Sequence, residues 1–167
     1  YVANLEVKGA EVKTLLSEAK SAGGLGGTLA AKASFEGKGD LPTLKGRGQG
    51  TVTDCRVERA RTLALLAGIL QVPELASPDF EECRVEFTQA GARLSTPVLS
   101  LQGDAVRLTG RGTLNLDTSG LDYQMTLALA PKLFAKVTRP ELRPAFKPAA
   151  DGFSAIGFRL SGTTLAP

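Results

Sequence analysis

Histidine is missing from all 167 residues, tryptophan is missing too, and methionine occurs once. The lack of histidine removes the commonest general base and the commonest metal ligand together. Aromatic residues make up only 5%, so a core has to come from leucine, valine and alanine. There are two cysteines, Cys55 and Cys83, and their spacing is not CxxC, which argues against zinc and thioredoxin-type sites. Whether they pair depends on compartment and geometry, and the sequence leaves that open. Long apolar runs are missing as well. The longest, Leu63 to Leu70, falls far short of the ~20 residues a membrane-spanning helix needs. The chain is therefore expected to be soluble by itself, with any anchor lying outside it.

Charge is nearly balanced. Twenty basic against 17 acidic residues leave +3, too weak and dispersed to argue for nucleic acid. With 43% hydrophobic and 22% charged residues, the proportions are globular, and residues 1–167 read as one domain. The chain starts at Tyr1 without a signal peptide and stops at Pro167 inside a strand-like pattern, which suggests a fragment of a longer protein.

What is present is alternation. From Val106 to Asp117 the even positions are apolar or glycine and the odd ones polar, the period of a strand with one dry and one wet face. The same pattern runs through Tyr1–Val7, Thr28–Glu36, Leu44–Asp54, Phe80–Thr88, Ala92–Leu101, Leu121–Leu129 and Ile156–Thr163. Pro97 predicts an edge position or a bulge, and Thr118–Gly120 predicts a hairpin turn. Helical spacing occurs twice: Val12, Leu15, Leu16 and Ala19 form one stripe, and Thr62–Gln71 is apolar almost all round and ends before Pro73. A Leu-x-Gly pattern recurs at Leu25, Leu44, Leu108 and Leu160 without a fixed period. Glycines at a comparable level in successive strands would let a sheet curl along one line.

Most chemical motifs fail. Gly46–Gly50 continues into strand, where a phosphate-binding loop would open a helix. The serine in Gly152–Gly157 lacks both elbow spacing and a histidine. Asp54, Asp79, Glu81, Glu82 and Asp104 are the candidates for carboxylate chemistry, and they read more simply as solvated charges. No enzyme, cofactor or metal is expected. Pro131–Ala150 reads as a short helix followed by an irregular basic arm carrying Lys132, Lys136, Arg139, Arg143 and Lys147 against Glu141. It is either a solvated loop or a contact for anionic headgroups.

The fold class that follows is α+β and predominantly β: a long twisted antiparallel sheet curled into a groove or partial barrel, with two or three short helices. The strands offer more apolar surface than the two helices can cap, which favours an incompletely covered concave face over an ordinary two-layer core. Leu108, Leu114, Leu116, Leu127, Leu129 and Phe158 would line it, and Gly46, Gly48, Gly110 and Gly112 would permit the curl.

The order of these pieces resembles the C-terminal domain of the AsmA-like family of bacterial envelope proteins. The likeness rests on Leu44–Asp54 (an L-x-G-x-G strand before a turn and helix), on Phe80–Phe87 with Ala90–Leu94, on the hairpin Leu108–Leu116 with Leu121–Tyr123, and on Ile156–Thr163 with Pro167. Gly157 stands where the family often has proline, and the cysteines are not part of its pattern. The resemblance implies a periplasmic domain tethered to the inner membrane, linked to outer-membrane biogenesis and to phospholipid passage along a hydrophobic groove. The expected partners are phospholipid acyl chains, the rest of the chain with its anchor, and envelope proteins. The other reading is a structural domain that assists outer-membrane protein assembly through strand pairing.

Overall fold

The computed structural model describes residues 1–14, 24–58 and 60–163. Nine strands form one open antiparallel sheet: β1 (Val2–Glu11), β2 (Gly24–Glu36), β3 (Lys45–Glu58), β4 (Asp79–Ala90), β5 (Arg93–Gln102), β6 (Val106–Asn115), β7 (Gly120–Leu129), β8 (Lys147–Pro148) and β9 (Ser154–Thr163). Their order is β1-β2-β3-β4-β5-β6-β7-β9-β8, a meander whose last long strand pairs with β7 and carries the two-residue β8 outside it. Helix α1 (Arg61–Leu70) and a 3-10 turn (Pro73–Ala76) link β3 to β4, and the one-turn helix α2 (Pro131–Phe134) opens the basic arm. Val12–Thr14 are helical; the rest of the helix expected through Lys20 lies outside the described residues.

Local chemistry sets the boundaries. Helix α1 stops at Gln71, which takes the left-handed conformation (φ 58°) while the Val72 N–H closes onto the Ala67 carbonyl, and Pro73 forbids continuation. Strand β6 stops two residues before its sequence alternation does. The Asn115 Oδ1 accepts from the amides of Asp117 and Thr118, an Asx turn that competes with the ladder. Leu116 consequently lies in the turn, 42% exposed, and does not join the sheet face expected for it.

Two irregularities keep the apolar face continuous. Strand β3 runs on past Asp54, where it was expected to end. Asp54 bulges with φ 52°, where the register against β2 shifts between Gly26 and Thr28, and Cys55 is buried like Val52. In β5 the register slips between Thr96 and Leu99, so Pro97 occupies a bulge in an interior strand. Leu94 and Leu99 then share one face despite their opposite parity.

The register lines this face up in rows across eight strands. Ala10, Leu29, Val52, Cys83, Leu101, Leu108, Leu127 and Ile156 stand side by side; Val7, Ala31, Gly50, Val85, Leu99, Gly110, Met125 and Phe158 follow. The outermost row is Ala3, Phe35, Gly46, Gln89, Leu94, Leu114, Leu121 and Gly162.

Among the described residues, only one end of the face is sealed. Leu63, Ala67 and Leu70 of α1, Val72 and Leu75 beyond it, and Leu133, Val137 and Phe146 of the arm cluster with Phe80, Val106, Leu108, Leu127 and Leu129. Full burial of each leucine contributes about 1.5–3 kcal/mol, which makes this end the stable core. Burial then declines along the strands, and no member of the outermost row is buried.

Cys55 and Cys83 are joined by a disulfide, with Cα atoms 6.1 Å apart. The bond clamps β3 to β4 at the sealed end, and the question the sequence left open is answered by the Asp54 bulge that turns Cys55 inward.

Candidate functional site

The six expected lining residues separate into three groups. Leu108, Leu127 and Leu129 are buried beneath α1 and the arm. They belong to a closed core and not to an open face. Helix length alone misjudged the cover, because the irregular arm inserts Leu133, Val137 and Phe146 as a third capping element. Leu116 sits in the turn. Leu114 remains half-buried on the open part of the sheet, beside Leu94 and Leu121, while Phe158 and Leu160 are half-buried and pack against the core.

The four glycines expected to curl the sheet act as seats for large side chains. A methyl group at Gly46 would overlap the Phe35 ring, at Gly48 the Phe87 ring, at Gly110 the Met125 thioether, and at Gly112 the Tyr123 ring and the Asp122 carbonyl. Phe35 and Phe87 thus lean from β2 and β4 over the bare backbone of β3, with their centroids 6.2 Å apart. Tyr123 similarly crosses Gly112 to reach β5, where its Oη lies 2.9 Å from the Thr96 Oγ1. Thr96 is 5% exposed and is the buried polar side chain of this core among the described residues; its partner satisfies it. The alternation pattern flagged these glycines, but nothing in it revealed the rings above them.

The opposite face is polar. Arg159 grips Asp122 with two bonds of 2.7 Å, joining β9 to β7. The guanidinium's hydrogen bonds, and then its charge, hold the Asp122 carboxyl below the ordinary aspartate range. On β1, Lys8 and Lys32 lower the Glu6 carboxyl in the same way. Arg107 bonds Asp151 at 2.9 Å and lies 3.9 Å over the Phe153 ring, pinning the end of the arm.

Four of the five candidate carboxylates do meet. Asp54, Asp79, Glu81 and Asp104 line an open hollow of about 570 Å³ with Glu74 and Arg56. All four are exposed, Arg56 lies 3.7 Å from Asp79, and no group of three or more acidic or cysteine ligands is placed to hold a metal among the described residues. Glu82 faces away, in register with Thr53 and Gln102 on the polar side. The basic arm is ordered over the core. The Arg143 Nη1 donates to the Val137 carbonyl at 3.0 Å and its guanidinium stacks 4.7 Å over Phe134, while Lys136 pairs with Glu74.

No protein-family model matches the chain, and neither a curated protein nor a solved structure matches it. Among the described residues, no helix is long and apolar enough to cross a membrane. The candidate site is therefore defined by its own chemistry: an uncovered band of aromatic and aliphatic side chains, without a charged residue in its rows, at the end of the sheet away from α1.

Proposed function

We propose that the uncovered band receives phospholipid acyl chains. In this reading the chain is a non-enzymatic, AsmA-like domain of the bacterial envelope, periplasmic and tethered to the inner membrane through the rest of its protein, serving outer-membrane biogenesis. The observation that carries the proposal is the decline of burial from the sealed row at Leu127 to the outermost row at Leu114 and Leu121. Eight strands of apolar register continue beyond the capping elements, and contiguous apolar surface of that kind marks a binding face. A trough formed by bending of the sheet belongs to the same proposal. An acyl chain laid along the band would gain about 0.8 kcal/mol per methylene removed from water. The disulfide supports the compartment, since such bonds persist in oxidising spaces such as the periplasm.

The test is extraction and mass spectrometry of lipid carried by the purified chain, with Leu114→Asp as the probe. Phospholipid that is lost in Leu114→Asp, with the circular dichroism of the sheet intact, is the expected result. A lipid-free parent protein counts against the proposal. One observation favours the scaffold reading: β1 is an edge strand of ten residues that exposes Val2 and Leu5, with Tyr1 exposed just before it. An added strand would pair there, and a peptide that protects β1 amides from exchange in a lipid-free protein would select that reading.

A further inference from the structure

We infer that the outer side of α1, together with the basic arm, forms a docking surface for an anionic lipid bilayer. This goes beyond the proposed acyl-chain band, which lies at the other end of the sheet. The helix buries Leu63, Ala67 and Leu70 and turns Leu65 and Ile69 outward, 67% and 50% exposed. Apart from Arg61 at its start, α1 carries no charge, so its outer side is an apolar ridge with a cation at one end.

The arm meets the other end. The Thr138 Oγ1 donates to the Gln71 Oε1 at 2.8 Å just beyond α1, and Lys136 pairs with Glu74 in the following turn. Five of the chain's 20 basic and two of its 17 acidic residues fall in 131–153, so the entire net charge of +3 resides in this segment. Arg61, Lys132, Arg139 and Lys147 are all exposed, and no acidic partner lies within salt-bridge distance of them among the described residues. Buried Leu133, Val137 and Phe146 fix the arm to the core, so these cations are displayed at set positions.

An apolar ridge with Arg61 at one end and, joined to its other end through Gln71 and Glu74, the arm that carries the net positive charge matches the headgroup–acyl boundary of an anionic membrane. Charge argues against a second copy as the occupant, because a two-fold pairing of this surface would bring two arms of like charge together. The vesicle side has the complementary sign.

Co-sedimentation with vesicles of phosphatidylcholine, alone or mixed with phosphatidylglycerol, tests the inference. The chain should pellet with the mixed vesicles, do so less at high salt, and remain in solution with phosphatidylcholine alone. Lys132→Gln with Arg139→Gln should weaken binding about fivefold per cation, or about 25-fold together. Leu65→Gln with Ile69→Gln should abolish it, and all four positions are exposed, so circular dichroism should stay that of the parent. Equal binding to both vesicles, binding to neither, or variants that pellet like the parent would overturn the inference. So would a parent dimer that Leu65→Gln converts to monomer. The two proposals fail separately: Leu114→Asp should leave vesicle binding intact, and the α1 variants should leave co-purified lipid intact.

Discussion

Breaking the Cys55–Cys83 bond should lower stability by an amount that the connectivity specifies. The bond closes a loop with a sequence separation of 28, spanning the end of β3, α1, the following 3-10 turn and the start of β4. In the chain-entropy account, such a closure removes about 3.5 kcal/mol of unfolded-state freedom. For a domain of this size that corresponds to roughly 7–14 °C in melting temperature. Cys55 has no exposed surface, so a reductant reaches the bond only when the structure opens. The chain should therefore be reduced in denaturant, refolded with reductant present, and melted beside the oxidised form in a calorimeter. The reduced thiols still pack as small apolar groups, so the fold should survive with a lower midpoint. A midpoint that reduction leaves unchanged would refute the reasoning, as would two free thiols titrated in the unreduced, denatured chain.

The other expectations concern single side chains. A Cβ at Gly50 would meet the Ala31, Leu29 and Val85 side chains at 3.7 Å, an ordinary contact. Gly50→Ala should therefore gain about 0.5–1 kcal/mol, whereas Gly112→Ala, which strikes the Asp122 carbonyl and the Tyr123 backbone, should lose about 1–3 kcal/mol; urea denaturation distinguishes the two. Tyr123→Phe strands the buried Thr96 hydroxyl and should cost about 1–3 kcal/mol in the same assay. Arg159 depresses the Asp122 carboxyl in the folded state, so its stabilisation is present above the ordinary aspartate value of about 3.9 and is lost as pH falls through the lower folded value. Asp122→Asn should be less stable than the parent at neutral pH, and the difference should close once Asp122 of the parent is protonated, as read from melts across an acid pH series.

The strands were legible because alternation is a local signal. Strand β6 fills the alternating stretch Val106–Asp117 except for its last two residues, β7 matches Leu121–Leu129 with Gly120 added, and Pro97 takes the bulge, one of the two placements (edge or bulge) expected of it. The misreadings arose where a non-local or side-chain event overrode the pattern. Leu116 kept the alternating parity but lost its place to the Asx turn at Asn115. Leu108, Leu127 and Leu129 had the right face, yet their cover comes from an arm whose prolines hid three apolar anchors, Leu133, Val137 and Phe146, at no regular period. The glycines were visible as gaps, while their occupants Phe35, Phe87, Met125 and Tyr123 lie on neighbouring strands and depend on register. The disulfide required the Asp54 bulge, which no composition rule reports.

The meander has a mechanical consequence. Among the described residues, neither β1 nor β2 supplies a buried apolar side chain, and only the half-buried Leu25 and Leu29 of β2 pack against the core. First β1 and then β2 can therefore peel away while β4 to β9 keep their own partners, leaving β3 held to β4 by its ladder and by the covalent bolt. Such a molecule is graded from a loose hem to a riveted end, and its amide protons should exchange in that order.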